Sequence, residues 1–172
     1  MTLALDLERP VRGREFDFDS HGKEVILYTK FVDDNEIREM LNCKTIAVVG
    51  CSPNPDRASH YVAEYLKTAG YKVIPVNPGH ESLLGGKCYP NLAQIPEKVD
   101  LVNIFRRPEH VFPIVQDAIK IGAKSVWMQD GIEHALAEES ALKAGLKVVA
   151  NDCIMREHQR LGGPFRKTIT TC

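Results

Sequence analysis

The sequence predicts an α/β fold: a doubly wound parallel sheet forming a single domain, preceded by an N-terminal extension. Three observations predict it. Short, wholly apolar, β-branched runs recur from Thr45 onward, and such runs suit parallel strands covered on both faces. Segments with helical spacing lie between them. Gly70, Gly122 and Gly145 each follow a helical pattern and precede a strand by two or three residues, where a left-handed C-cap residue is expected.

In chain order, residues 1–32 show no clean periodicity. Glu15-Phe16-Asp17-Phe18-Asp19 alternates charge and aromatic, and Val25 to Tyr28 is a short apolar run. This stretch reads as an extension that packs on the domain or on a partner subunit. The domain proper is expected over 33–172. Its first helix begins at Asp33, a capping residue with Glu36 three positions on, and Ile37, Met40 and Leu41 share a face. Strands follow at Ile46–Val49, Val73–Val76, Leu101–Phe105, Ser125–Met128 and Val148–Ala150. Pro75 must sit where a ladder donor is not needed. A short strand near Lys87-Cys88-Tyr89 would make six. Helix faces are carried by Val62, Tyr65, Leu66 and Ala69, by Val111, Ile114, Val115 and Ala118, and by Ala137, Ala141 and Ala144.

Composition excludes several function classes. Of 172 residues, 44% are apolar and 26% charged, and the formal net charge is −1 with both signs spread along the chain. That gives no electrostatic footprint for nucleic acid or an anionic membrane. No apolar run approaches the roughly 20 residues needed to span a bilayer. Met1 to Pro10 lacks a basic start followed by an apolar core, so no signal peptide is expected. The five cysteines (Cys43, Cys51, Cys88, Cys153, Cys172) form no Cys-x-x-Cys pair, which fits reduced thiols in a cytoplasmic protein.

In an open parallel sheet, ligands bind beyond the carboxyl ends of the strands. The segments expected there are Gly50 to Arg57, Asn77-Pro78-Gly79, Arg106-Arg107-Pro108 and Gln129-Asp130-Gly131. Gly50 permits a tight turn. Ser52 and Ser59 offer hydroxyls, Arg57 a positive fork, and a helix starting near Ala58 aims free N–H groups at the loop. Together these suit a phosphate, although any plain βα connection also wants small and polar residues. Arg106 and Arg107 could clamp a phosphate or pyrophosphate. Phe105 suits either a base or the core. The loop lacks the second and third glycines of the Gly-x-Gly-x-x-Gly fingerprint. Asn77 stands where an acidic residue would hold the ribose diol of NAD. Both departures weaken an NAD(P)-dependent oxidoreductase reading.

Residues from about 44 to 161 resemble the small bacterial and archaeal CoA-binding proteins, and more distantly the CoA-binding domain of the succinyl-CoA synthetase alpha subunit. The resemblance rests on Ala47 to Ser52, Tyr71 to Pro78, Ile104 to Pro108, Gly122 to Gln129 and Cys153 to His158, in that order. It implies a Rossmann-like domain with coenzyme A, or an acyl-CoA, across the strand ends. Gly50, Cys51, Ser52 and Arg57 would meet phosphates, with further contacts from Val76, Asn77, Pro78, Phe105, Arg106 and Arg107. It implies CoA binding and not the synthetase's ligase activity, whose phosphorylated histidine lies in a further domain. Residues 1–43 fall largely outside the resemblance and could dock a second copy or a partner ligase or acyltransferase.

No nucleophile–base pair is evident, so catalysis is not expected. His60 fits a helix-start residue bonded to backbone better than a base. Cys51 lies near a helix N-terminus, which can lower a thiol pKa; it suits a mixed disulfide with CoA less well than a small buried position. Asp152, Cys153, Glu157 and His158 match no zinc spacing, and the last two suit a structural anchor for the C-terminal helix. Trp127 is expected in the core.

Overall fold

The computed structural model describes residues 14–18, 24–28 and 32–162. Strands β1 (Arg14–Phe18) and β2 (Glu24–Tyr28) pair antiparallel, Phe16 opposite Ile26. The sequence reading assigned no element here, yet the charge–aromatic alternation around Phe16 has the period of a strand. What this extension packs against lies outside the described residues.

Helix α1 (Asp34–Leu41) starts where the cap predicts it. Asp33 is the N-cap and its side chain accepts from the Glu36 N–H at 2.7 Å. Ile37, Met40 and Leu41 are buried. There follow β3 (Thr45–Val49), α2 (Ala58–Thr68), β4 (Lys72–Val76), β5 (Ser82–Leu83), β6 (Gly86–Lys87), β7 (Leu101–Ile104), α3 (Val111–Lys120), β8 (Ser125–Met128), α4 (Ala135–Lys143), β9 (Lys147–Val149) and α5 (Ile154–Arg160). Gly70, Gly122 and Gly145 have positive φ, as their C-cap positions require.

The sheet is parallel, ordered β4-β3-β7-β8-β9, with Val48 opposite both Pro75 and Asn103. Every residue of β3, β7 and β8 is buried, which explains why they are apolar but for Thr45, Asn103 and Ser125. The sixth strand expected at Lys87-Cys88-Tyr89 is not a strand of that length. Gly86–Lys87 turns back onto Ser82–Leu83 as a small antiparallel pair. Tyr89 alone makes a parallel bridge to Val76, donating its N–H to the Pro75 carbonyl and accepting from the Asn77 N–H. The next donor in such a ladder would be residue 75, and proline has none, so the pairing stops after one bridge. Counting Tyr89 as the third position, the order across the sheet is 3-2-1-4-5-6, and the winding reverses between β3 and β7.

Two apolar layers flank the sheet. One joins Ile46, Val48, Leu101 and Trp127 to Ile37, Val62, Leu66 and Ile154 of α1, α2 and α5. The other joins Ala47, Val49, Ile104 and Met128 to Val115, Ala118, Ala137 and Ala141 of α3 and α4. Ala144, expected on the α4 core face, is exposed just past the helix end, because the helix stops one residue earlier. Trp127 is fully buried and its Nε1 donates to the Asp152 carbonyl at 2.7 Å. Glu157 and His158 are buried as an anchor for α5: the His158 Nδ1 meets the Tyr65 hydroxyl at 2.8 Å and Arg160 bonds Glu157. Among the described residues no group of three or more His, Cys, Asp or Glu side chains could hold a metal ion, and no helix is long and apolar enough to cross a membrane.

Candidate functional site at the reversal of the winding

Where the winding reverses, the connections after β3 and β7 part to opposite faces and leave a crevice between them. Gly50 sits in that crevice. Its φ is +86° and its N–H donates to the Val76 carbonyl at 2.9 Å. A Cβ there would lie 2.4 Å from the Phe105 carbonyl oxygen and 2.9 Å from Arg106 Cδ. Only glycine lets the end of β3 pass this close beneath the end of β7.

The loop from Cys51 to Arg57 is braced from inside. Ser59 is buried and its Oγ accepts from the Ser52 N–H at 3.1 Å, so the hydroxyl shapes the loop from beneath. His60 Nδ1 meets the Ser52 carbonyl at 2.8 Å, the backbone role expected of it. The Ser52 Oγ accepts from Asn54 N–H at 3.1 Å. Asn77 donates through Nδ2 to the Cys51 carbonyl at 2.8 Å and accepts at Oδ1 from Gly79 N–H at 2.9 Å, tying this loop to the end of β4. Arg57 is the N-cap of α2 and no side chain caps that helix, so its first N–H groups face the loop without a protein side chain on them. Arg57, Arg106 and Arg107 are exposed. Arg106 lies against the glycine turn, Arg57 stands at the uncapped helix start, and Arg107 follows Arg106 just past the end of β7.

Cys51 is wholly buried. Burial, and then the nearby Cys88 thiol, push its own thiol up to about 11. The lowered pKa that a helix N-terminus can confer is thus overridden by desolvation, and Cys51 holds the small buried loop position. Phe105 is half-buried and packs on the layer beside α2, with its N–H on the Val49 carbonyl. Gln129 is buried and its Nε2 donates to Asn103 Oδ1 at 2.7 Å, while Asp130 pairs with Arg156.

Beside the glycine turn lies a cleft of about 250 Å³. Of the predicted site residues, Gly50, Val76, Pro78 and Arg106 line it; Cys51, Ser52, Arg57, Ser59, Asn77, Phe105 and Arg107 do not. Its other walls come from Pro90, Asn91 and Leu92 and from His110, Pro113, Ile114 and Asp117 of α3 and its lead-in. Sequence reasoning missed both groups. The helical spacing of 110, 113, 114 and 117 was visible, but which partner that face meets depends on Tyr89 extending the sheet beside β4.

A family model described as a CoA binding domain matches residues 44–159. The chain is 38% identical over 124 residues to the uncharacterized protein YneT of Bacillus subtilis, across 72% of this chain and 92% of that one. It is 32% identical over 124 residues to the ADP-forming acetate–CoA ligase I of Archaeoglobus fulgidus, across 64% of this chain but only 18% of the ligase. Among solved structures, a hypothetical protein from Pyrococcus horikoshii is 47% identical with a TM-score of 0.75, over 77% of this chain and 94% of that one. A protein of Thermus thermophilus is 38% identical with a TM-score of 0.72, over 76% of this chain and 99% of that one.

Proposed function

The chain belongs to the CoA-binding domain family, and from that premise we propose that it binds coenzyme A or an acyl-CoA at the carboxyl edge of its sheet, without catalysing a reaction on it. The observation that carries the reading is the glycine turn under Phe105 and Arg106, facing the uncapped start of α2. The first N–H groups of α2 carry no capping side chain and can meet a phosphate, with Arg57 at that helix start and Arg106 at the turn as sources of positive charge. Asn77 weighs against a nicotinamide dinucleotide. Both ends of its amide are engaged with backbone, and it offers no carboxylate to a ribose diol. The absence of catalysis is supported by the fate of the candidates: the Cys51 thiol is buried and protonated, and the His60 ring is held on a backbone carbonyl.

Calorimetric titration of the full chain with CoA tests the reading, with NAD and NADP as parallel probes. Saturable heat with CoA and none with the dinucleotides is expected. No binding at millimolar CoA in modest salt would remove it.

A second reading is favoured by the likeness to acetate–CoA ligases, in which the matched stretch is a minor part of the chain. On this reading the protein lends a CoA site to a separate ligase or acyltransferase. Affinity purification from native extract distinguishes the two, since a chain recovered without an acyl-activating partner counts against the second.

A further inference from the structure

The cleft beside Gly50 carries charged groups of both signs on its walls. Arg106 and the glycine turn come from just past the ends of β7 and β3. His110, Pro113, Ile114 and Asp117 then follow at helical spacing along one side, so the two ends of that helical wall are about 10 Å apart at 1.5 Å per residue. That is the reach of a nucleotide from its phosphate to the far edge of its base. Pro78, Pro90 and Pro113 give the walls rigid apolar surfaces suited to a flat ring. The volume, about 250 Å³, admits a base and is smaller than the roughly 300–1,000 Å³ sites that enclose whole drug-sized ligands.

Asp117 is the one acidic residue in this lining. Its Oδ1 accepts from Lys120 Nζ at 3.1 Å, and the side chain is 40% exposed. The one side-chain amide in the lining, Asn91, has its Oδ1 committed to the Gln94 N–H. An ionised carboxylate only accepts hydrogen bonds, so this end of the cleft asks for a donor on the base. Adenine presents one, its exocyclic amino group. A base with a carbonyl at that position would set acceptor against acceptor.

We propose that Asp117 is the base-reading residue of the site, its carboxylate accepting a hydrogen bond from the exocyclic amino group of an adenine seated between Pro78, Pro90 and Pro113. This rests on the reading of the site as one for coenzyme A, and adds a selectivity which that reading does not require. The test is titration of the full chain with CoA and with the CoA analogue carrying hypoxanthine in place of adenine. Wild type is expected to prefer CoA by about tenfold or more, the range of a charged hydrogen bond. In Asp117→Asn the amide can donate to the hypoxanthine carbonyl, so the preference should fall below about twofold. Lys120→Met, which removes only the ion pair, should keep it. Equal affinity of wild type for the two, or an undiminished preference in Asp117→Asn, overturns the proposal while leaving CoA binding intact. No binding of either compound overturns the underlying reading as well.

Discussion

Gly50 and Arg57 sit in the same loop but answer to different physics, and substitution separates them. Alanine at 50 would force an L-residue into a positive φ and drive its Cβ to 2.4 Å from the Phe105 carbonyl oxygen, just past the end of the neighbouring strand β7. The conformational part alone costs about 1–2 kcal/mol. Gly50→Ala is therefore expected to lower unfolding free energy by more than about 2 kcal/mol in urea titration and to weaken CoA binding as well. Arg57 is exposed and caps α2 through its backbone alone. Arg57→Ala should leave the urea midpoint in place and weaken CoA binding by roughly 1.5–3 kcal/mol. An unchanged affinity would remove Arg57 from the phosphate site. The cysteines make a third case. Cys43, Cys51 and Cys88 are buried, and burial pushes up the Cys51 and Cys88 thiols; Cys153 is half-buried. Thiol labelling of native protein, read by peptide mass spectrometry, should modify Cys153 well before Cys51. The reverse order would mean that the loop opens far more readily than its bracing suggests.

Elements differ in how far local chemistry sets them. The start of α1 is set locally, by Asp33 taking the Glu36 N–H. Asp33→Ala should cost about 1 kcal/mol in urea unfolding, the usual worth of such a cap, without touching CoA affinity. A loss near zero would mean that α1 is held by packing alone. The parallel strands were legible because burial on both faces leaves an unbroken apolar run, as in Ile46 to Val49. The segment around Tyr89 was not. Its attachment to β4 is a single bridge whose length is limited by Pro75, and no periodicity in the segment records that. The same holds at the site. Gly50 and the arginines could be read from their positions after strands, but the wall made by Pro90, Asn91 and Leu92 arises only because Tyr89 is placed beside β4. Ser59 shows the opposite limit: a hydroxyl in a phosphate-type loop can face inward, and one-dimensional spacing does not say which way it turns.

Across the whole molecule, acid stability depends on groups remote from the strand ends that form the site. Asp100, at the amino edge of the sheet, accepts from the Lys44 and Thr45 N–H groups at 3.0 and 3.1 Å and pairs with Lys124 at 2.9 Å. Burial raises its carboxyl, but the Lys124 ammonium and the two amides together outweigh burial and hold it below its ordinary value of 3.8. His158 is the opposite case. Burial lowers it from the usual 6.5, so the folded protein keeps it neutral while the unfolded chain takes up a proton. For both groups the unfolded state binds more protons as pH falls, so stability is lost toward acid. The His158 contribution is complete above about pH 6.5 and fades below it; the Asp100 contribution is complete above about pH 3.8 and fades as pH falls through its lower folded value. Urea midpoints measured from pH 7 to pH 3 should decline in two steps, and His158→Gln should flatten the first while sparing the second. A first step of unchanged slope in that variant would assign it to other groups. The sheet's two margins carry a different consequence. One ends in Pro75 and a lone bridge to Tyr89; the other is the three-residue strand Lys147–Val149, opened by a lysine. Neither presents a long row of free donors and acceptors on which a foreign strand could be templated. The molecule can thus leave the strand ends open to a nucleotide while its flanks stay closed to fibril growth.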